Sequence, residues 1–254
     1  MTAAQAGEPP LAGLRTVVTG ASSGIGRAIA EAFAAAGATV GIGYWRSAEA
    51  AVELAERLGP ENPLLQADLS TVRGCASIVE DAFAALHRID VWVNNAGADV
   101  LTGDAAGWPS ERKLEALLEL DLKATIRCSR MAAPRLRRGG CILNMGWDRA
   151  TASGLAGDDA ELHAAVKAAV LGFSKSFARS VAPGVRVNVL CPGWIETAFG
   201  EGADPEFRAE VARGVPLGRW GRPADVAAAA VWLASPASSF VTGQAINVNG
   251  GEIG

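Results

Sequence analysis

Tyrosine is almost absent from this chain of 254 residues, where Tyr44 is the single example. Histidine is nearly as scarce, since the sequence contains only two, of which His163 lies in a long alanine-rich segment. The four cysteines stand far apart and form no C-x-x-C pair, which argues against a zinc site or a thioredoxin-type motif. We therefore expect no metal site, and reduced, buried cysteines in a cytoplasmic protein.

The sequence also lacks a basic stripe and a long apolar run. Its 23 Lys and Arg residues are outnumbered by 27 Asp and Glu, which gives a net charge of −4 and excludes the usual footprint of a nucleic-acid-binding protein. No apolar run approaches the roughly 18 residues of a membrane span. The first residues show neither the basic nor the apolar region of a signal peptide. We expect a small-molecule substrate and no membrane or nucleic-acid partner.

Half of the residues are hydrophobic and 20% are charged. A single small domain with this composition leaves apolar surface exposed unless subunits cover it. The composition therefore predicts a homo-oligomer, either a tetramer or a dimer.

Short β-branched runs alternate with long alanine-rich segments along the chain. This alternation predicts an α/β fold: one doubly wound parallel sheet of the Rossmann type with helices on both faces. We predict a flexible tail over residues 1–12 and a single domain over residues 13–254. Strands are predicted at 16–19, 39–42, 91–94, 141–144 and 185–190, and helices at 24–36, 48–58, 72–87, 111–138 and 159–181.

Three glycines follow the first predicted strand and open the first predicted helix. Gly20 permits a tight turn, Gly24 lets the backbone approach a phosphate, and Gly26 lets the helix pack on the strand. Free backbone N–H groups at the start of a helix attract a pyrophosphate. The turn predicts dinucleotide binding, with the intervening Ser22, Ser23 and Ile25 as part of the site.

Further motifs follow in register: Asp68-Leu69, Asn94-Asn95-Ala96-Gly97, Pro192-Gly193-Trp194-Ile195-Glu196-Thr197 and the terminal Val248-Asn249-Gly250-Gly251. Together with the Thr-Gly-x-x-x-Gly-x-Gly turn, they resemble the short-chain dehydrogenase/reductase family, which includes acyl-carrier-protein ketoreductases, over essentially the whole chain. The resemblance implies three sets of cofactor contacts. These are Asp68 and Leu69 on the adenine, Asn95, Ala96 and Gly97 along the central groove, and Pro192, Gly193, Ile195 and Thr197 at the nicotinamide end.

The end of the second strand indicates which dinucleotide is preferred. The chain reads Gly43-Tyr44-Trp45-Arg46-Ser47, with no carboxylate before Glu49 to accept from a ribose 2′-hydroxyl. Arg46 offers a planar fork and Ser47 a hydroxyl to a 2′-phosphate, with Tyr44 beside them. We therefore predict NADP(H) in preference to NAD(H).

The resemblance also implies a Ser and a Tyr that bind a carbonyl oxygen, a Lys four residues after the Tyr, and an Asn in the preceding long helix. This chain has Lys167, but Trp147, His163 and Asp121 stand at the other three positions. A nearby ammonium favours the neutral imidazole, which suits His163 to act as a base. It is a poorer proton source unless Asp121 or Asp148 offsets Lys167. Trp147 shapes or fills the pocket, and an aromatic lining suits a flat or cationic substrate.

Three functional hypotheses remain open from the sequence. The first is an NADP(H)-dependent oxidoreductase acting on a carbonyl or alcohol, or on an imine or conjugated C=C bond, with His163 and Lys167 at its centre. The second is a non-redox protein that keeps the dinucleotide site as a scaffold. The third is a cyclase, isomerase or dehydratase that uses His163 and an aspartate without hydride transfer.

Overall fold

A computed structural model describes residues 7–151 and 153–252. Within them the β-branched runs form a parallel sheet with strand order β3-β2-β1-β4-β5-β6-β7. The order reverses between β1 and β4, as in a doubly wound sheet, and confirms the predicted fold class. The strands are β1 (Arg15–Val18), β2 (Thr39–Tyr44), β3 (Leu64–Gln66), β4 (Val91–Asn94), β5 (Gly140–Met145), β6 (Val185–Pro192) and β7 (Ala245–Val248).

Helices cover both faces of the sheet and bury its apolar residues in two separate cores. On one face α1, α2 and α9 pack against the sheet, and on the other face α3, α5 and α6 do so. The helices are α1 (Gly24–Ala35), α2 (Ala48–Leu58), α3 (Val72–Leu86), α4 (Ser110–Leu117), α5 (Ala124–Ala132), α6 (Asp158–Val181), α7 (Ala198–Gly202), α8 (Pro205–Gly214) and α9 (Pro223–Ala234).

The helix predicted over residues 111–138 is interrupted. A π-helical segment, Leu118–Lys123, separates α4 from α5, and the helical path closes with a 3₁₀ turn at Ala133–Arg135. A π segment widens the helix locally and carries Asp121 towards the ends of β4 and β5. The periodicity of the apolar residues does not reveal such a change, because the residues on both sides keep a helical pattern.

The predicted flexible tail is too long at its C-terminal end. Leu11 is completely buried in the core shared with α1, and its backbone N–H donates to the carbonyl oxygen of Ala36 at 2.9 Å. The domain therefore begins before residue 13. Residues 1–6 of the predicted tail lie outside the described residues.

Candidate active site

The glycine-rich turn has the backbone geometry that phosphate binding requires. Gly20 and Gly24 have positive φ angles of 64° and 53°, which favour glycine. A Cβ atom on Gly26 would lie 2.2 Å from the carbonyl oxygen of Gly20. The Asn95 side chain secures the turn, because its Nδ2 donates to the carbonyl oxygens of Thr19 and Gly20 at 3.0 and 3.2 Å. Ser22, Ser23 and Ile25 complete the turn at the start of α1.

The predicted adenosine contacts gather where β2 and β3 end. Tyr44 pairs with Gln66 in the sheet, and Asp68 and Leu69 follow β3 directly. The Asp68 carboxylate is held by Ser70, whose backbone N–H and hydroxyl donate to Oδ1 at 3.0 and 2.6 Å. The structure therefore brings the residues of this end together on one side of the glycine turn.

Arg46 and Ser47 lie between β2 and α2 with their polar groups available. Arg46 is exposed and pairs with no carboxylate among the described residues. Ser47 precedes α2 but makes no side-chain capping bond to it. A guanidinium and a hydroxyl without internal partners fit a phosphate on the ribose.

The nicotinamide end is formed by the chain that follows β6. Pro192 ends the strand, and Gly193, Ile195 and Thr197 follow it along the wall of a cavity. The Thr197 Cγ2 atom would lie 3.6 Å from a Cβ on Gly24, so this segment faces the glycine turn. Asn95, Ala96 and Gly97 run between the two ends at the end of β4. These residues fit a dinucleotide, with a glycine cradle at its middle and a cavity at one end.

The cavity encloses about 610 Å³ beside the ends of β5 and β6. Its wall is mostly apolar and aromatic, with one ammonium, one imidazole and two carboxylates among its polar groups. The lining includes the side chains of Trp147, Asp158, Asp159, His163, Lys167, Trp194, Phe199 and Trp220.

Lys167 on α6 is neutralised by a buried carboxylate. Its Nζ lies 2.8 Å from Oδ1 of Asp121, whose side chain is 3% exposed, and 3.3 Å from the carbonyl oxygen of Met145. The other carboxylate oxygen of Asp121 accepts from the backbone N–H of Ala98 at 2.8 Å. The π segment and the loop after β4 thus hold Asp121 in place, as a carboxylate that offsets the Lys167 charge.

His163 lies one helical turn before Lys167 and also lines the cavity. Its Nδ1 is 2.9 Å from the carbonyl oxygen of Asp159. Because a carbonyl oxygen can only accept, Nδ1 carries the hydrogen, and in the neutral ring Nε2 is an acceptor. Trp147 stands edge-on to the imidazole, with ring centroids 6.2 Å apart. Trp147 therefore shapes the cavity wall without filling the cavity.

An ion pair that no sequence motif indicates holds Asp159. Lys113 on α4 is 5% exposed, and its Nζ lies 2.9 Å from both carboxylate oxygens of Asp159. Since the two residues are 46 positions apart and belong to no motif, only the packing of α4 on α6 brings them together. The pair anchors the first turn of α6, whose backbone orients the His163 ring.

Asp148 does not line the cavity, unlike the predicted catalytic residues Trp147, His163 and Lys167. It is fully buried behind the end of β5, where Oδ1 accepts from the backbone N–H of Arg149 at 2.7 Å and Oδ2 from Nδ2 of Asn249 at 3.3 Å. Burial raises the pKa of Asp148 above its usual value, and the two hydrogen bonds oppose that change only in part. Asp148 is a structural residue of this turn and does not line the cavity.

An aromatic cluster closes the far side of the cavity. Trp194 is 5.5 Å from Trp220 and 6.3 Å from Phe199, measured between ring centroids. Its indole N–H donates to Glu252 at 3.2 Å, and Glu252 also forms an ion pair with Arg149. Trp194 is thereby fixed in the wall. Trp108 stacks under the guanidinium of Arg112 and lies outside the lining.

Three other expectations concern the described residues as a whole. Residues 7–151 and 153–252 contain no cluster of three His, Cys, Asp or Glu side chains that could hold a metal ion. In the same part of the chain, none of the helices combines the length and apolar character that crossing a bilayer needs. All four cysteines are free and buried.

Known proteins resemble this chain along almost its whole length. A family model described as Enoyl-(Acyl carrier protein) reductase matches residues 20–252. The 3-oxoacyl-[acyl-carrier-protein] reductase FabG of Escherichia coli (strain K12) is 36% identical over 239 residues, which cover 92% of this chain and 95% of that protein. The FabG of Vibrio harveyi is 36% identical over 245 residues, with 95% and 98% covered.

Solved structures give the same result. A short-chain dehydrogenase/reductase from Brucella melitensis, described as a glucose/ribitol dehydrogenase, superposes on this chain with a TM-score of 0.87 at 30% identity. The match covers 97% of this chain and 99% of that one. A short chain dehydrogenase from Burkholderia cenocepacia J2315 in complex with NADP superposes with a TM-score of 0.85 at 32% identity, with 96% and 99% covered. Both likenesses extend over almost the whole of this chain.

Proposed function

This chain belongs to the short-chain dehydrogenase/reductase family of oxidoreductases, and from that premise we propose that it transfers a hydride between NADP(H) and a small organic substrate, with His163 where the family usually has a tyrosine. The observation that carries the proposal is the cavity of about 610 Å³, whose wall includes the cofactor residues Ile195 and Thr197 as well as His163 and Lys167. Open space next to both sets of residues is what a reacting substrate needs.

Each part of the cofactor has residues suited to it. The N–H groups of the turn from Gly20 to Gly26 bind the pyrophosphate, and Arg46 and Ser47 bind the 2′-phosphate. Lys167 donates to the ribose next to the nicotinamide. When bound, the nicotinamide supplies or receives the hydride. Two solved structures that are similar to this chain, one in complex with NADP and the other in complex with NADPH, support the choice of NADP(H).

His163 is the group that handles a proton in this proposal. With Nδ1 donating to the Asp159 carbonyl, Nε2 accepts a hydrogen bond or a proton from the substrate. Trp147 and Asp121 stand at the places that the resemblance assigns to a serine and an asparagine. Asp121 offsets the charge of Lys167, so the imidazole does not face an uncompensated ammonium.

Cofactor titration and an absorbance screen test the proposal. We expect NADPH to bind more tightly than NADH, and NADPH absorbance to fall, or NADP⁺ to be reduced, with at least one class among ketones, imines, enones and alcohols. Tighter binding of NADH would contradict the cofactor assignment. Binding of NADPH without hydride transfer to any class would instead favour the scaffold role.

The two other hypotheses are less well supported by the site. A scaffold that has lost its chemistry has no need of an open cavity beside His163. An acid/base enzyme without hydride transfer needs a carboxylate paired with His163, but the one hydrogen bond of its ring within the described residues goes to a backbone carbonyl oxygen. Asp121 is held by Lys167 and Asp148 by Asn249. Turnover of a substrate without any change in NADPH absorbance would support the acid/base enzyme instead.

We also propose that the chain forms a homo-oligomer, either a tetramer or a dimer. Phe240 is fully exposed, and Leu217 and Trp232 are also largely exposed, in a chain that is half hydrophobic. Such side chains are covered at low cost by another subunit. Light scattering after size-exclusion chromatography tests this, and a monomer at micromolar concentration would contradict it.

A further inference from the structure

The cavity is poor in groups that can protonate a substrate oxygen. Among the described lining residues, Thr197 carries the one hydroxyl, and the proposed function places it on the cofactor. The indole N–H groups of Trp194 and Trp220 already donate to Glu252 and to the backbone of Arg208. Reduction of a ketone ends in an alkoxide that must receive a proton. The Lys167 ammonium is held by Asp121 and by the carbonyl oxygen of Met145, and the indole N–H of Trp147 is not acidic enough to give up its proton. The described lining therefore offers no free acid for this alkoxide.

His163 presents an acceptor where a carbonyl oxygen would need a donor. Its Nδ1 hydrogen is given to the Asp159 carbonyl, and the ring makes no other hydrogen bond within the described residues. In the neutral ring, Nε2 therefore faces a substrate as a lone pair. A lone pair repels a carbonyl oxygen but accepts from an N–H group.

The wall of the cavity favours positive charge. Trp147 and Phe199 present aromatic surface, which attracts a cation over its faces. The rings of Trp194 and Trp220 already have the guanidinium groups of Arg149 and Arg208 near them, at 6.0 and 5.2 Å from the ring centroids. Asp158 and Asp159 add two carboxylates, of which only Asp159 is paired, with Lys113. The one ammonium in the wall, Lys167, is already offset by Asp121 at 2.8 Å.

We propose that the substrate of this site is an iminium ion, a protonated C=N group on a flat, largely apolar ring, whose N–H donates to Nε2 of His163. This inference rests on the proposed function. The carbon of the C=N bond accepts the hydride, and the π pair becomes the lone pair of the nitrogen. The nitrogen keeps its hydrogen, so the product is a neutral amine and the hydride step needs no acid.

Binding of three matched probes tests the charge and the hydrogen bond without any turnover. The first probe is a dihydroisoquinoline with a methyl group on the imine carbon, whose nitrogen is protonated at neutral pH. The second is the same cation with a methyl group in place of the N–H hydrogen. The third is tetralone, a neutral ketone with the same two-ring skeleton. By calorimetry we expect the N–H cation to bind about tenfold more tightly than tetralone. Equal affinities for these two would overturn the cationic substrate. Equal affinities for the two cations would overturn the hydrogen bond to His163.

A pair of variants on the first turns of α6 separates local charge from general charge. Asp158 and Glu161 are both exposed carboxylates, but Asp158 lines the cavity and Glu161 does not. Asp158→Asn should weaken the N–H cation about three- to tenfold and leave tetralone unchanged. Glu161→Gln should change neither. Equal effects of the two substitutions would overturn a role for the cavity carboxylate.

Steady-state measurements keep the failure of this inference distinct from failure of the proposed function. We expect kcat/KM for NADPH oxidation to be at least about tenfold higher with the N–H cation than with tetralone. Faster reduction of tetralone would overturn the iminium assignment and leave the hydride-transfer function standing. Tight NADPH binding with no oxidation by either probe would overturn the iminium assignment, and the screen over ketones, imines, enones and alcohols would then decide the proposed function.

Discussion

Asp121 and Lys167 form a buried ion pair across two helical segments, with Oδ1 and Nζ 2.8 Å apart. The carboxylate is carried by the π segment between α4 and α5, and the ammonium by α6. A second bond from the backbone N–H of Ala98 ties the pair to the loop after β4. The positive charge of Lys167, the one ammonium in the described lining, is thus offset by Asp121, which does not itself line the cavity.

Replacing this carboxylate by a neutral amide tests the pair. We expect Asp121→Asn to lower the free energy of unfolding by about 1–3 kcal/mol, because the Lys167 ammonium loses its charged partner while the shape of the site is kept. Urea titration at neutral pH measures the change. Glu115→Gln, an exposed substitution on α4, is the control and should stay within about 0.5 kcal/mol of the parent. Equal stability of the two variants would contradict the importance of the pair.

The positions of the predicted cofactor residues follow from the sequence more directly than those of the predicted catalytic residues. The glycine turn, the end of β2 and the segment after β6 are local, and each follows one strand, so their positions result from the fold itself. Asp148 shows the limit of this reasoning. It directly follows Trp147, which lines the cavity, yet it turns into the protein because Asn249, 101 positions later, binds it there.

The acid/base half depends on contacts between elements that are distant in sequence. The Lys113–Asp159 pair and the π segment at Asp121 result from packing of α4 on α6, which no periodicity encodes. The buried position of Leu11 was missed for a similar reason, since a short alanine- and proline-rich segment gives no sign of the surface that covers it. The sequence therefore indicates residues that act next to their own strand, but it does not indicate contacts between elements that are distant along the chain.

The stability of an Asp148→Asn variant should depend on pH in a defined direction. Because burial raises the pKa of Asp148 in the folded state, the folded protein holds that proton more tightly than the unfolded chain. Ionisation therefore removes stability as the pH rises through the raised pKa, and asparagine escapes this loss. We expect the variant to gain stability relative to the parent between acidic and neutral pH, as measured by urea titration at both.

The same variant also tests the placement of Asp148. Since the side chain does not line the cavity, kcat/KM should change by less than about threefold. Asp104→Asn, on an exposed loop, serves as the control for pH effects of a surface carboxylate. A large loss of kcat with unchanged stability would instead return Asp148 to the mechanism.

Two glycine substitutions should differ in their effect on NADPH affinity and on stability. A Cβ on Gly26 would lie 2.2 Å from the Gly20 carbonyl oxygen and 2.3 Å from Nδ2 of Asn95, so Gly26→Ala must push apart the turn that binds the pyrophosphate. We expect NADPH affinity to fall at least about tenfold and stability to fall by about 2 kcal/mol or more. At Gly214 a Cβ meets nothing within 4 Å, and Gly214→Ala should preserve both. Calorimetric titration and thermal unfolding measure the difference.

Arg46 should distinguish the two dinucleotides. It is exposed and makes no ion pair within the described residues, so its guanidinium is available to a 2′-phosphate. We expect Arg46→Ala to weaken NADPH about tenfold and NADH by less than about twofold. Arg179→Ala, an exposed arginine near the end of α6, should change neither affinity. Equal weakening of both dinucleotides would show that Arg46 does not recognise the phosphate.

Rebuilding the donors that the family resemblance implies should create a ketone reductase in two stages. His163→Tyr with Trp147→Ser supplies two hydroxyl groups, but Lys167 remains engaged by Asp121 at 2.8 Å. An ammonium that is already neutralised does little to stabilise a phenolate, so we expect only a small gain in tetralone reduction from this pair of substitutions. Adding Asp121→Asn frees the Lys167 charge and should raise kcat for tetralone by about tenfold or more over the double variant. An equal rate in the double and triple variants would show that the ion pair has no influence on the proton-transfer step.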